Sequence, residues 1–166
     1  MSGLISRAIE FVLEAHAGQK YGDLPFWLHP AHAAEVAEEH GLEDDVVAAI
    51  WLHDTLEDCP SVKLHHLFDL FGPFVAQAVW AVTNVPGTRR ERHPMTYAKI
   101  RDYGPETVVV KLCDRIANVE WCLVPAGRKD LLKMYKKEYR EFKKALQKEG
   151  EYTELWERLD KLMDWR

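Results

Sequence analysis

The chain has 166 residues, an apolar fraction of 47%, a charged fraction of 30% and a formal net charge of −5. That is enough for one domain with a buried core, and the negative balance disfavours nonspecific nucleic-acid binding as the main role. No apolar run approaches membrane-spanning length, the N-terminus lacks a signal-peptide layout, and the odd set Cys59, Cys113 and Cys122 has no framework spacing, which points to reduced thiols in the cytoplasm.

Helical periodicity dominates in chain order. Leu4, Ala8, Phe11, Val12 and Ala15 share one face of a first helix. A loop marked by Gly18, Gly22 and Pro25 follows, and Pro30 suits the first turn of a second helix that stops at Gly41. The stretch EDDVVAAIWLHDTLED reads as one buried helix halted before Pro60. Ser61 is placed to cap the next helix, with Gly72 as its stop, and Pro73 opens another. The basic segment VPGTRRERH reads as a loop, with Pro94 starting a helix that ends at Gly104. In PETVVVKLCDRIANVEWC the run Val108 to Val110 could form a strand, but Val109, Leu112, Cys113, Ile116 and Val119 hold a helical face over a longer span. Two amphipathic helices fill residues 128–165. The expectation is an all-α bundle of eight or nine helices forming one domain over residues 1–166. Trp51 and Trp80 are spaced as core residues, as are the cysteines.

The chemistry concentrates at WLHDTLEDCP. In a single helix, His53, Asp54, Glu57 and Asp58 would lie on adjoining faces at its C-terminal end, where the dipole disfavours acids. A divalent cation would offset that charge, and a mixed imidazole and carboxylate set suits Mn, Fe, Zn or Ni. Further ligands must come from elsewhere. His29 stands just before Pro30, and Asp114 lies in the middle of the buried KLCDRIANV helix with Asn118 one turn on. A buried aspartate needs a partner: a metal, or Lys111 or Arg115 beside it. His16 ends the first helix, where it can bond the final carbonyls or edge a pocket. His32, His40, His65, His66 and His93 have no partner at ligand spacing and read as surface or capping residues.

An early His, a consecutive His-Asp pair and a distant Asp resemble the metal signature of the HD-domain phosphohydrolases. The segments AHAGQKYGDLPFWLHP, AAIWLHDTLED and VVVKLCDRIANV are similar to the hydrolase domain of the RelA/SpoT alarmone enzymes and to the small alarmone hydrolases of the Mesh1 type, over approximately residues 4–120. The resemblance implies one divalent metal, usually Mn²⁺, held by His29, His53, Asp54 and Asp114. Fe, Ni, Zn or Co would suit the same ligands. It also implies that Glu57 and Asp58 handle the attacking water, and that Asn118 lines a nucleotide pocket. The implied reaction removes the 3′-pyrophosphate of ppGpp or pppGpp. With no residues left for a synthetase domain, the expectation is a hydrolase alone, acting on a small nucleotide as a monomer or homodimer.

The residues suit such a reaction. Glu57 or Asp58 can take a proton from water, and Lys20 or the trio Arg89, Arg90 and Arg92 can meet phosphate charge. One departure is Lys20-Tyr21, where alarmone hydrolases often carry Arg-Lys; Tyr21 could stack on a base instead. Tyr135 and the lysine face Lys129, Lys133, Lys136 and Lys137 lie in a segment that matches the family poorly, with Tyr135 a candidate pocket residue. Two alternatives remain: a nucleotide or dinucleotide phosphatase with another substrate, and a noncatalytic nucleotide-binding regulatory module.

Overall fold

The computed structural model describes residues 3–125 and 127–164. Among them the chain forms nine helical segments and one two-residue hairpin, so the all-α expectation holds. Helix α1 (Gly3–Ala15) buries Ile5, Ala8 and Val12, one face at helical spacing. The hairpin pairs β1 (Lys20–Tyr21) with β2 (Leu24–Pro25) around Gly22, which adopts a φ of 62°. Helix α2 (Leu28–Glu39) takes in His29 in its first turn, with Pro30 beside it. Trp165, assigned from sequence to the last helix, lies outside the described residues.

Two helices form the hub. α3 (Asp44–Leu52) buries Val46, Val47, Ala48, Ala49, Ile50 and Leu52, and packs on α1, α2 and α5 (Leu64–Val82). α7 (Pro105–Leu123) is buried on most sides, and touches α2, α3, α5, α6 (Arg89–Tyr103), α8 (Lys129–Leu146) and α9 (Thr153–Met163). The valine run at 108–110 is therefore helix; wrapping by neighbours overrides its β preference. The amphipathic pair α8 and α9 closes the core with Tyr139, Phe142, Leu146, Trp156 and Leu159, all nearly or fully buried. Each large apolar side chain removed from water there contributes about 1.5–3 kcal/mol.

Four expectations need correcting. The helix through WLHDTLED is broken: α3 ends at Leu52, His53 and Asp54 form a turn, and α4 (Thr55–Asp58) is a separate single turn. The acids therefore do not sit at the end of one long helix. The basic segment is not a loop, because α6 starts at Arg89. Thr88 precedes it, and its N–H and Oγ1 both donate to Glu91 Oε2, at 2.9 and 2.7 Å. Pro94 then sits inside that helix. Ser61 is not a cap; Lys63 flanks α5, its N–H donating to His66 Nδ1 at 3.2 Å. Trp80 is 38% exposed, with Lys99 Nζ 4.2 Å from its ring centroid, whereas Trp156 is the buried tryptophan among the described residues. Gly72 does interrupt the chain as expected, bending α5 at a φ of 85°. The three cysteines are free and buried. No helix among the described residues is long and apolar enough to cross a membrane.

Candidate active site

The break after α3 is made by side chains. His53 Nδ1 lies 2.6 Å from Ile50 O, and Thr55 Oγ1 donates to Leu52 O at 2.7 Å. These groups take carbonyls that a continuing helix would bond, so the turn stops there. Asp54 O then accepts the N–H groups of Glu57 and Asp58, at 3.1 and 2.9 Å, which starts α4.

The turn aims His53 inward. Because Nδ1–H is given to Ile50 O, Nε2 presents its lone pair. It lies 3.2 Å from His29 Nε2 and 3.5 Å from Asp114 Oδ1, while His29 Nε2 is 3.2 Å from the same Asp114 oxygen. Ligand atoms of His29, His53 and Asp114 all fall within 4.8 Å of one another, and all three residues are buried. Asp54 Oδ2 adjoins them, 3.1 Å from His53 Nε2 and 3.7 Å from His29 Nε2. Two imidazole nitrogens facing each other between two carboxylates form a dense set of electron-pair donors. That donor set fits a divalent transition metal better than Mg²⁺ or Ca²⁺.

The two carboxylates draw positive charge to this point, which a proton on His53 or a cation would supply. Burial alone would lower the pKa of His53, but Asp54 and Asp114 outweigh it and hold it well above the ordinary value. Burial alone would raise Asp114, yet Lys111, His29 and His53 keep it well below the usual carboxylate range. Lys111 Nζ donates to Asp114 Oδ2 at 2.7 Å, and Asn118 Nδ2 donates to Oδ1. Of the side-chain partners open to Asp114 in the sequence, Lys111 takes one carboxylate oxygen, whereas Arg115 packs on the rings of Tyr135 and Phe142 instead.

A cavity of about 390 Å³ opens on this cluster. Glu57 and Asp58 line it, as do Lys20, Tyr21, Arg89, Arg92, Asn118 and Tyr135. Glu57 is tethered: Asn84 donates to it from its backbone N at 3.1 Å and from Nδ2 at 3.2 and 3.0 Å, and Arg92 Nη1 lies 3.7 Å away. Burial, Asp54 and Glu57 push Asp58 up to about 6. Arg89 reaches away from the cluster, clasping Glu138 at 2.7 and 2.9 Å.

Three expectations change here. Arg90 does not line this cavity; it borders a neighbouring groove with Met134 and Lys137, because consecutive residues at a helix start point different ways. Tyr21 is not free to stack on a base. Its ring lies 4.8 Å from that of His29 at 13°, and its hydroxyl donates to Asn118 Oδ1 at 2.7 Å. His93 is no surface residue; it lines the cavity. His16 bonds Gln19 Oε1 through Nδ1 at 2.8 Å and stacks on Phe26, outside the donor cluster. His40 caps its helix through Val36 O at 2.8 Å, and His32 pairs with Glu120 at 2.8 Å.

Sequence reasoning also passed over cavity residues. Lys111 and Arg115 flank Asp114 in KLCDR, and their place in a buried helix was the available signal. Asn84 and Tyr97 come from α5's end and from α6, and nothing local marks them.

The HD domain family matches residues 8–146. The guanosine-3′,5′-bis(diphosphate) 3′-pyrophosphohydrolase of Aquifex aeolicus is 32% identical over 137 residues, covering 78% of this chain and 19% of that protein. A probable GTP pyrophosphokinase of Mycobacterium leprae is 34% identical over 125 residues, covering 70% of this chain and 15% of that protein. The chain therefore spans less than a fifth of the length of these relatives. Among solved structures, a metazoan ortholog of SpoT that hydrolyses ppGpp superimposes with a TM-score of 0.85 at 19% identity, covering 99% of this chain and 96% of that one. The lmo0812 protein of Listeria monocytogenes gives 0.64 at 24% identity, over 85% and 94% of the two chains. Both likenesses speak to the fold.

Proposed function

The chain belongs to the HD domain family, and from that premise we propose that it is a metal-dependent phosphohydrolase that removes the 3′-pyrophosphate of ppGpp, leaving GDP. The observation that carries this reading is one cavity holding a two-imidazole, two-carboxylate cluster, two further carboxylates and several cations. The Aquifex relative's named activity supplies the substrate. We assign residues 1–166 to one such unit, acting on a small nucleotide in the cytoplasm.

His29, His53, Asp54 and Asp114 would hold one divalent cation, Mn²⁺ before Fe, Ni, Zn or Co. Such an ion polarises a phosphoryl oxygen and acidifies a water when bound. The chain's own groups do the rest. Asp58, which lines the cavity beside the cluster, is placed to accept the water's proton. Glu57, held by Asn84, orients the water and is less free to act as base. Water oxygen bonds to the phosphorus next to ribose O3′, the P–O3′ bond breaks, O3′ takes a proton and pyrophosphate departs. Lys20 and Arg92 face the charge that develops on phosphate, Asn118 fixes the inner rim and Tyr135 forms a wall.

The test is turnover of ppGpp with Mn²⁺ beside a panel of nucleotides, before and after chelation. The expected outcome is pyrophosphate release that chelation abolishes and Mn²⁺ restores. Dephosphorylation of a nucleoside monophosphate with none from ppGpp would overturn the substrate assignment. In Glu57→Gln and Asp58→Asn, turnover should fall by about 10²–10⁴, with metal content by elemental analysis unchanged.

A further inference from the structure

The cations around the cavity differ in whether their charge is already matched. Arg89 is clasped by Glu138, and Lys111 is paired with Asp114. Arg115 is 3% exposed and forms no ion pair among the described residues. Its guanidinium packs on Tyr135 and Phe142 of α8, with its carbon 4.7 and 4.4 Å from their ring centroids. Arg115 Nη1 is buried without a hydrogen-bond partner, and so are Arg92 Nε and Tyr97 Oη. All three residues line the same cavity. A buried, unpaired guanidinium is strongly unfavourable, and buried donors in native proteins almost always find an acceptor. Three unsatisfied donors around one cavity mark a place whose acceptor comes from outside the chain.

His93 registers the field there. It faces Arg89 on its own helix, Arg115 and Lys111 on α7, and Glu138 on α8. Burial and the three cations push its imidazolium down to about 4 against the one carboxylate.

We propose that Arg115 and Tyr97 form a second anion subsite, which holds a phosphate or pyrophosphate group of the nucleotide other than the one being hydrolysed, while Arg92, whose Nη1 lies 3.7 Å from Glu57, serves the reacting end. This deepens the reading above and rests on it for what occupies the metal end. A guanidinium fixed between aromatic faces is preorganised for two-point contact with phosphate oxygens. The cavity then has two poles, an acidic one that reacts and a basic one that selects nucleotides phosphorylated at a second position.

Inorganic pyrophosphate is the probe, added to chelator-treated protein so that the acidic pole cannot recruit it through a metal. Calorimetry should show binding, and the His93 imidazole, followed by NMR, should titrate at higher pH once the anion offsets the cations. Arg115→Met should weaken binding by about tenfold or more, the loss of a charge-assisted hydrogen bond. Tyr97→Phe keeps the ring against Phe142 and should weaken it by about three- to tenfold. If Arg115→Met fails to fold, Tyr97→Phe decides. With Mn²⁺ present, Tyr97→Phe should raise KM for ppGpp and leave KM for guanosine 3′-diphosphate unchanged. Absence of pyrophosphate binding, or equal binding by wild type and variants, overturns the subsite even if ppGpp is hydrolysed. Variant-sensitive binding in a protein that hydrolyses nothing would leave the subsite standing and remove the enzymatic reading.

Discussion

Two stretches bring ligating side chains to the cluster, and they do so by opposite means. At His53–Asp54 the helix stops, and side chains occupy the last carbonyls of α3. At Asp114 the helix runs on undisturbed; its charge is balanced by Lys111 at i−3, and Asn118 at i+4 donates a hydrogen bond to the carboxylate. The broken stretch directs its ligands through backbone geometry. The continuous stretch keeps its ligand ionised in a buried helix through side-chain pairing. A metal cluster in a helical bundle needs both, since direction and ionisation are separate requirements.

The sharpest way to break the contrast is Asp114→Ala. It leaves Lys111 largely buried without a partner, so unfolding stability should fall by about 3–5 kcal/mol, measured by urea denaturation. Adding Lys111→Met should recover much of that loss, although metal binding stays impaired; a purely additive pair would show that Lys111 does not offset Asp114. At the broken stretch, Thr55→Val leaves Leu52 O without its 2.7 Å hydroxyl donor. The expected loss is smaller, about 1–2 kcal/mol, but it should weaken Mn²⁺ affinity by loosening the turn that aims His53 and Asp54.

A smaller effect separates the two stretches by pH. Asp58, in the turn that follows the break, is raised from 3.8 to about 6, by burial and then by Asp54 and Glu57. A carboxyl raised on folding adds stability that is fully present below its unfolded value and is lost as pH rises through its folded value. Asp58→Asn in chelator-treated protein should therefore flatten the change in stability between pH 4 and pH 7. Asp114 has the opposite sign: its depressed pKa adds stability above the unfolded value, which is lost only as the solution becomes strongly acid. The smallest effect is a control outside both stretches. Thr88→Ala removes a hydroxyl contact to Glu91 at the start of α6 and should lower stability by about 1 kcal/mol without changing Mn²⁺ affinity.

The same contrast separates what could be read in the sequence from what could not. The apolar face of α7 carries Val109, Leu112, Ile116 and Val119 at regular spacing, so the helix and its buried aspartate were legible. The amphipathic faces of α8 and α9 were equally plain. His29, His53, Asp54 and Asp114 were legible as a set, and the chain does bring them together. The break after Leu52 was not, because hydropathy continues smoothly across it and the competing hydrogen bonds are made by His53 and Thr55 side chains. The start of α6 was obscured by Pro94, which suggested a later beginning, whereas the Thr88–Glu91 contact sets it earlier. Arg115 and Tyr97 were invisible as pocket residues because their roles depend on how α6, α7 and α8 pack, which no local pattern encodes.

The 2.6 Å contact between His53 Nδ1 and Ile50 O bears on any attempt to make this chain more heat-resistant. An engineer looking for gains would see two helices interrupted by two residues and would try to join them with good helix formers. Joining them would give Ile50 O to the peptide N–H of residue 54 and release the ring. The imidazole could then exchange its proton between nitrogens and swing, and Nε2 would no longer be held as an electron-pair donor. The irregularity is thus a restriction on evolutionary drift as well as on design: sequences that mend the helix gain local order and lose the tautomer that the chemistry requires.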